Sequence, residues 1–208
     1  LTMAYPTIDA PYGLRPVSLV GGQVFSGSTR QMAIGNAHAT AIFFGDAVSM
    51  SAAGTVWGTA AISTDAPVQV AGVFMGCTYI NSLSQRVYSQ FYPANTTGTV
   101  DGTDAIYAYV ADDPDVVMKV AVVSATTTIS GKDRAGLVGG NVPLVNNIGS
   151  TITGDSKLAV LSTTAVTTTL PLKIVDVVQD TKNSLSSFTE VLVIWNSGVH
   201  MYRGSAGI

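Results

Sequence analysis

The sequence predicts an all-β protein, a β-sandwich or barrel-like domain preceded by an extended N-terminal arm. Three observations carry this. Thr and Val together make up roughly a quarter of the 208 residues, and both suit the pleated, half-buried surface of a strand. Charged residues are only 11%, Glu190 is the sole glutamate, and Lys plus Arg number ten, so the usual alphabet of exposed helix faces is missing. Apolar runs of strand length recur between clusters of Gly, Pro, Asn and Asp, as in sandwiches and barrels.

Residues 1–30, "LTMAYPTIDAPYGLRPVSLVGGQVFSGSTR", read as the arm. Pro6, Pro11 and Pro16 supply no ladder donor and push their neighbours towards extended backbone. Tyr5, Tyr12, Leu14, Val17, Leu19 and Phe25 are too many apolar anchors for a disordered tail, so the arm is expected to bind a partner through them. Residues 31–208 are expected to form a single all-β domain. "TAIFFGDAVSM" is an apolar run broken by a Gly-Asp turn, and "PVQVAGVFMGCTYI" and "RVYSQFYPA" follow as strands. After the turn-rich "NTTGTVDGTD", "AIYAYVA" and "VVMKVAVV" flank an aspartate cluster. "KLAVL", "TTTLPLKIVDVV" and "TEVLVIWN" complete the series. "AGLVGGNVPLV" is too rich in Gly for a helix.

A net charge of −3 argues against a nucleic-acid surface, which needs clustered cations to displace counterions. No apolar run approaches the ~18 residues of a membrane span, although mean hydropathy is +0.37. The opening residues show neither the basic end nor the apolar core of a secretory signal. High apolar content with low charge predicts that other protein covers part of the surface, most simply in a homotrimer or homodimer.

The candidate chemistry is thin. Asp112, Asp113 and Asp115 surround Pro114, and Asp-Pro between apolar runs is a turn signature. A calcium loop would want oxygen ligands at alternating positions and a closing Glu. Asp101 and Asp104 carry the same turn reading, and join a composite calcium site only if the fold brings the loops together. Gly22 to Thr29 has phosphate-loop spacing, but Ser28 stands where the lysine must be. His38 and His200 have no ligand or acid at useful spacing and read as surface or loop residues. Cys77, in an apolar strand, reads as a small core residue. Neither a catalytic constellation, a metal site nor a cofactor is expected, and the protein is not expected to be an enzyme.

Taken in order, "APYGLRPVSLVGGQVFSGSTRQMAI", "TAIFFGDAVSM", "GVFMGCTYI", "SQFYPA", "AYVADDPDVVMKV", "TTLPLKIVDVV" and "TEVLVIWN" resemble small head proteins of tailed bacteriophages, the capsid decoration or cement proteins. The resemblance is one of phrase order over most of the chain. It implies a protein bound to the exterior of an icosahedral capsid, with the major capsid protein and its own copies as partners. Its location would be the virion, after host cytoplasm during assembly, and it transfers no catalytic residue. An alternative reading is a virion-displayed adhesin or carbohydrate-binding module. It would use Tyr79, Tyr88, Tyr92 or Trp57 as stacking platforms, with calcium at the aspartates.

Overall fold

The computed structural model describes residues 11–58, 69–99, 102–103, 105–123, 137–162, 170–178 and 189–204. Those residues form thirteen strands and no helical element. The strands are β1 (Arg15–Leu19), β2 (Arg30–Ala33), β3 (Ala47–Met50), β4 (Val56–Gly58), β5 (Val70–Ile80), β6 (Arg86–Ser89) and β7 (Tyr107–Ala111). They continue with β8 (Val116–Val123), β9 (Asn141–Val142), β10 (Leu144–Val145), β11 (Ala159–Leu161), β12 (Leu172–Val177) and β13 (Glu190–Trp195). The all-β class read from composition is the class of the structure. No helix among the described residues is long and apolar enough to cross a membrane.

The strands make two sheets. One has the order β10-β11-β8-β13-β12-β9, with β1 added to β8. Its two edges, β9 and β10, are consecutive in the chain with only Pro143 between them, so the sheet curls until its ends meet, nearly a barrel. Proline suits that corner because it has no donor to give to either ladder. The other sheet runs β2-β7-β5-β3-β4, with β6 on β5. A bridge between Ile34 and Val56 ties its two ends together.

Each sheet wraps its own core. Met118, Val120, Val122, Leu172, Val191 and Val193 fill the first, together with Val70 and Val73 from the second sheet. Ile34, Ile42, Phe74, Tyr92, Ile106 and Val110 fill the second. Strand β5 gives Val70 and Val73 to one core and Ala71, Phe74 and Cys77 to the other. This three-residue spacing departs from strict alternation because the strand shifts register against both neighbours, opposite Val48/Ser49 of β3 and between Phe74 and Cys77 beside β7. Burial on both faces explains its near-continuous apolar sequence. Burying a side chain such as Phe74 contributes about 1.5–3 kcal/mol.

The segment expected as a partner-seeking arm lies, from residue 11 onward, along its own chain. Strand β1 pairs antiparallel with β8, Arg15 opposite Lys119 and Leu19 opposite Val116, with a register break between Pro16 and Ser18. The Leu14 amide donates to the Gly45 carbonyl at 2.8 Å and the Gly13 amide to the Leu158 carbonyl at 3.1 Å. Gly13 has φ +84°, and a Cβ there would sit 2.7 Å from that of Ser156 and 2.8 Å from the Gly45 oxygen. Only glycine lets the two backbones approach so closely in that conformation. On the N-terminal side of residue 30 the chain thus contributes a strand, Arg15–Leu19, to the first sheet, because β8 offers it a ladder within the same chain. Residues 1–10 lie outside the described residues.

Candidate functional site

The aspartate cluster forms the corner between β7 and β8 and fastens it to two other parts of the chain. Asp113 Oδ1 accepts from the Asp115 amide at 2.8 Å, the local cap expected of aspartate in a turn. Asp112 Oδ2 lies 2.8 Å from Arg30 Nε and accepts from the Tyr202 hydroxyl at 2.8 Å. Asp115 pairs with Arg203 at 2.5 Å, and the Arg30 guanidinium lies 5.4 Å from the centre of the Tyr202 ring. Burial, then the bond to Asp112, pushes the Tyr202 hydroxyl up to about 12. Each carboxylate thus has a protein partner. Among the described residues no three His, Cys, Asp or Glu side chains gather to hold a metal. Asp101 and Asp104 lie outside the described residues.

Several single residues read from the sequence find definite places. Cys77 is buried, donates to the Phe91 carbonyl at 3.4 Å, and has its thiol pushed up to about 12 by burial. That disfavours the thiolate a nucleophile needs. His200, expected at the surface or in a loop, is fully buried. Its ring lies 6.2 Å from that of Trp195 and 5.3 Å from that of Tyr202. Its Nδ1 accepts from the Tyr202 amide at 3.3 Å, so it closes a turn, and desolvation pushes its pKa below the ordinary value. Tyr92 is fully buried in the second core and Tyr79 packs against that core. Tyr92 has no face to offer a sugar. Trp57 and Tyr88 remain exposed.

The six residues expected to bind a partner separate into four groups. Tyr5 lies outside the described residues. Leu14 is fully buried in the first core, with Leu19 and Phe25 packed against it, so these three are engaged within the chain. Tyr12 donates its hydroxyl to Glu190, whose Oε1 is 3.0 Å from Lys119 Nζ, and burial pushes the phenol pKa upward. This buried polar group was not visible in the sequence: its members are 178 residues apart at the widest. Of the five that are described, Val17 alone still shows a substantial face to water.

Two concave features and two apolar projections stand out among the described residues. A cavity of ≈ 370 Å³ lies between residues 39–47 and the loop 146–151. Within it, the Asp46 carboxylate accepts from the Phe43 amide at 2.8 Å, and burial raises its pKa. Among the described residues no second titratable side chain lines the cavity, so it assembles no acid/base pair. A more open groove of ≈ 480 Å³ is lined by Phe44, Met75, Gly76, Tyr88, Gln90 and Tyr109, among others. It lies where β5 breaks register with β7 between Phe74 and Cys77.

The first projection is the loop 146–155, which carries Ile148 and Ile152 at 88% and 95% exposure. The loop is firmly held: Asp155 Oδ1 accepts from Arg15 at 2.6 Å and from Gln90 at 2.9 Å. Gly149 lies flat on the Phe43 ring, where any Cβ would collide. The second is the turn after β1, where Val20 and Val24 stand exposed. Comparison with protein-family models, with characterised proteins and with solved structures yields no match to this chain.

Proposed function

We propose that this protein is a capsid decoration or cement protein, which binds the outer surface of a tailed-phage icosahedral head and stabilises it by bridging capsid subunits. The observation that carries the reading is the pair of apolar projections, Ile148 with Ile152 and Val20 with Val24, on a chain with few charges. Aliphatic side chains held rigidly in water are unfavourable until other protein covers them. Covering one of them fully is worth about 1.5–3 kcal/mol. Two separate contact points on one subunit then act together, because the second contact forms at high effective concentration once the first is made. A protein that binds the assembled shell and not its dissociated subunits stabilises the shell by linkage. The major capsid protein and neighbouring copies of this chain are the partners of this reading, and the virion exterior is its location. The resemblance of its phrase order to that of phage head proteins is the other ground for the reading.

The test is to add purified protein to heads that lack it and measure occupancy by co-sedimentation and particle rupture on heating. Wild type should saturate the heads and raise the rupture temperature. Ile148→Ser with Ile152→Ser should lower occupancy without lowering the thermal stability of the free protein. Heads that remain bare with wild-type protein would sink the reading.

A further inference from the structure

We propose that the groove beside β5, β6 and β7 is a binding site for a neutral saccharide chain, with Tyr88 and Tyr109 as stacking platforms and Gln90 as a polar contact. The groove exists because β5 carries an irregularity. Pairing with β7 runs through Phe74 and resumes at Cys77, leaving Met75 and Gly76 outside the ladder. Gly76 has φ +131°, and a Cβ there would lie 3.0 Å from the Ser89 carbonyl, so the depression is built into the backbone. Such irregularities in natural sheets often re-aim side chains next to functional sites.

The lining has the amphipathic character that a sugar requires. Tyr88 is 72% exposed although it sits within strand β6, so its ring contributes little to either core. Tyr109 stands on β7, with its hydroxyl held by Gln31 Nε2 at 3.3 Å. Phe44 and Met75 add apolar wall, while Ser89 and Gln90 supply hydrogen-bonding groups. Aromatic faces carry negative charge density that attracts the C–H face of a pyranose ring. The adjoining amide and hydroxyl groups then fix orientation, which is the usual division of labour in small-molecule sites, whose volumes run from ~300 to ~1,000 Å³.

The charges indicate a neutral ligand. A cation next to the groove, Arg15, has its guanidinium 4.3 Å from the centre of the Phe44 ring and is answered by Asp155 at 2.6 Å. Gln90 bonds the same Asp155 oxygen at 2.9 Å, so the groove ends in a neutralised pair. A phosphate or a sulfated sugar would find no uncommitted cation among the lining residues. The proposal is independent of the capsid reading, because it uses none of the projecting aliphatic side chains.

The experiment is isothermal titration of the full chain with three probes: chitohexaose, cellohexaose and maltohexaose. At least one should bind, with a Kd on the order of 0.1–1 mM. Tyr88→Ala should weaken that binding by about tenfold, a loss of about 1.4 kcal/mol, with unchanged melting temperature, and Gln90→Ala should weaken it to a similar degree. Tyr88→Phe should retain it, since stacking needs the ring and not the hydroxyl. Trp57→Ala, which removes an exposed aromatic elsewhere, should leave it unaltered. Absence of binding to all three probes overturns the proposal. So does binding that survives Tyr88→Ala, or that Trp57→Ala weakens equally.

Discussion

Lys119 and Glu190 meet across the β8–β13 pair, with Nζ and Oε1 3.0 Å apart, and the Tyr12 hydroxyl donates to the same carboxylate. The chain's single glutamate is thus nearly enclosed, and Lys119 and Tyr12 are among the groups that answer it. Lys119→Met would remove that cation from the buried carboxylate. Loss of a partner from a buried pair costs about 3–5 kcal/mol, and Lys119 keeps part of its side chain in water, so the lower end of that range is the upper limit here. Urea unfolding at neutral pH measures it.

Tyr12 and Tyr202 make a second prediction, for alkaline solution. Both phenols have folded pKa values above the ordinary 10.0, through burial first and then bonds to carboxylates. Above pH 10 the unfolded chain loses these protons while the fold retains them, so stability is full below that pH and falls as pH rises. Tyr202 contributes to this fall as far as about pH 12. Tyr12→Phe should flatten the decline in a plot of unfolding free energy against pH. An unchanged slope would show that the Tyr12 phenol does not titrate with folding.

Leu14 and Val17 distinguish a residue spent within the chain from one left at its surface. Leu14→Ala should destabilise the free protein by about 2–5 kcal/mol, as for other fully buried leucines. Val17→Ser should stay within about 0.5 kcal/mol of wild type, as exposed positions do. Chemical denaturation of the isolated protein gives both values. Equal effects would mean that the N-terminal strand is not docked on β8 in solution.

At the aspartate corner, Asp113→Ala should cost about 1 kcal/mol by removing the cap on the Asp115 amide. Neither added calcium nor a chelator should move the melting temperature of the wild type. A calcium-dependent rise that Asp113→Ala abolishes would reverse the turn reading.

His200 makes the fold sensitive to acid. Its pKa is lowered mainly by desolvation, so the unfolded chain takes up the proton first as pH falls below 6.5. The contribution is therefore full above that pH and is lost on further acidification. Protonation at Nδ1 also removes the acceptor of the Tyr202 amide. His200→Gln should reduce the decline in stability between about pH 6.5 and pH 5, measured by thermal melts across that range.

The strands easiest to read in the sequence were β5, β7, β8, β12 and β13, where β-branched and aromatic residues run between strong turn residues. Strand β1 was hidden. Pro16 and the glycines around it read as an arm, yet β1 touches a single strand, β8, and an edge position tolerates proline. The existence of two cores was hidden as well, because an apolar run such as "VAGVFMGC" gives no sign of which face serves which core. The groove was beyond reach for another reason. Tyr88 was singled out, but Phe44, Met75, Gln90 and Tyr109 come from separate segments and meet only through a register break at Gly76. A glycine inside a strand pattern is the one hint of such a break that sequence carries.

The double allegiance of β5 ties the two sheets to each other. Val70 and Val73 belong to one core, Ala71 and Phe74 to the other. No cut releases either half as a module, since each would lose a wall to the other. A slip of β5 by one residue would put Ala71 and Phe74 where Val70 and Val73 belong, and Gly72, Met75 and Thr78 where Ala71, Phe74 and Cys77 belong, spoiling both interiors at once. The halves should therefore melt as one, in a single calorimetric transition, and neither should be expressible alone.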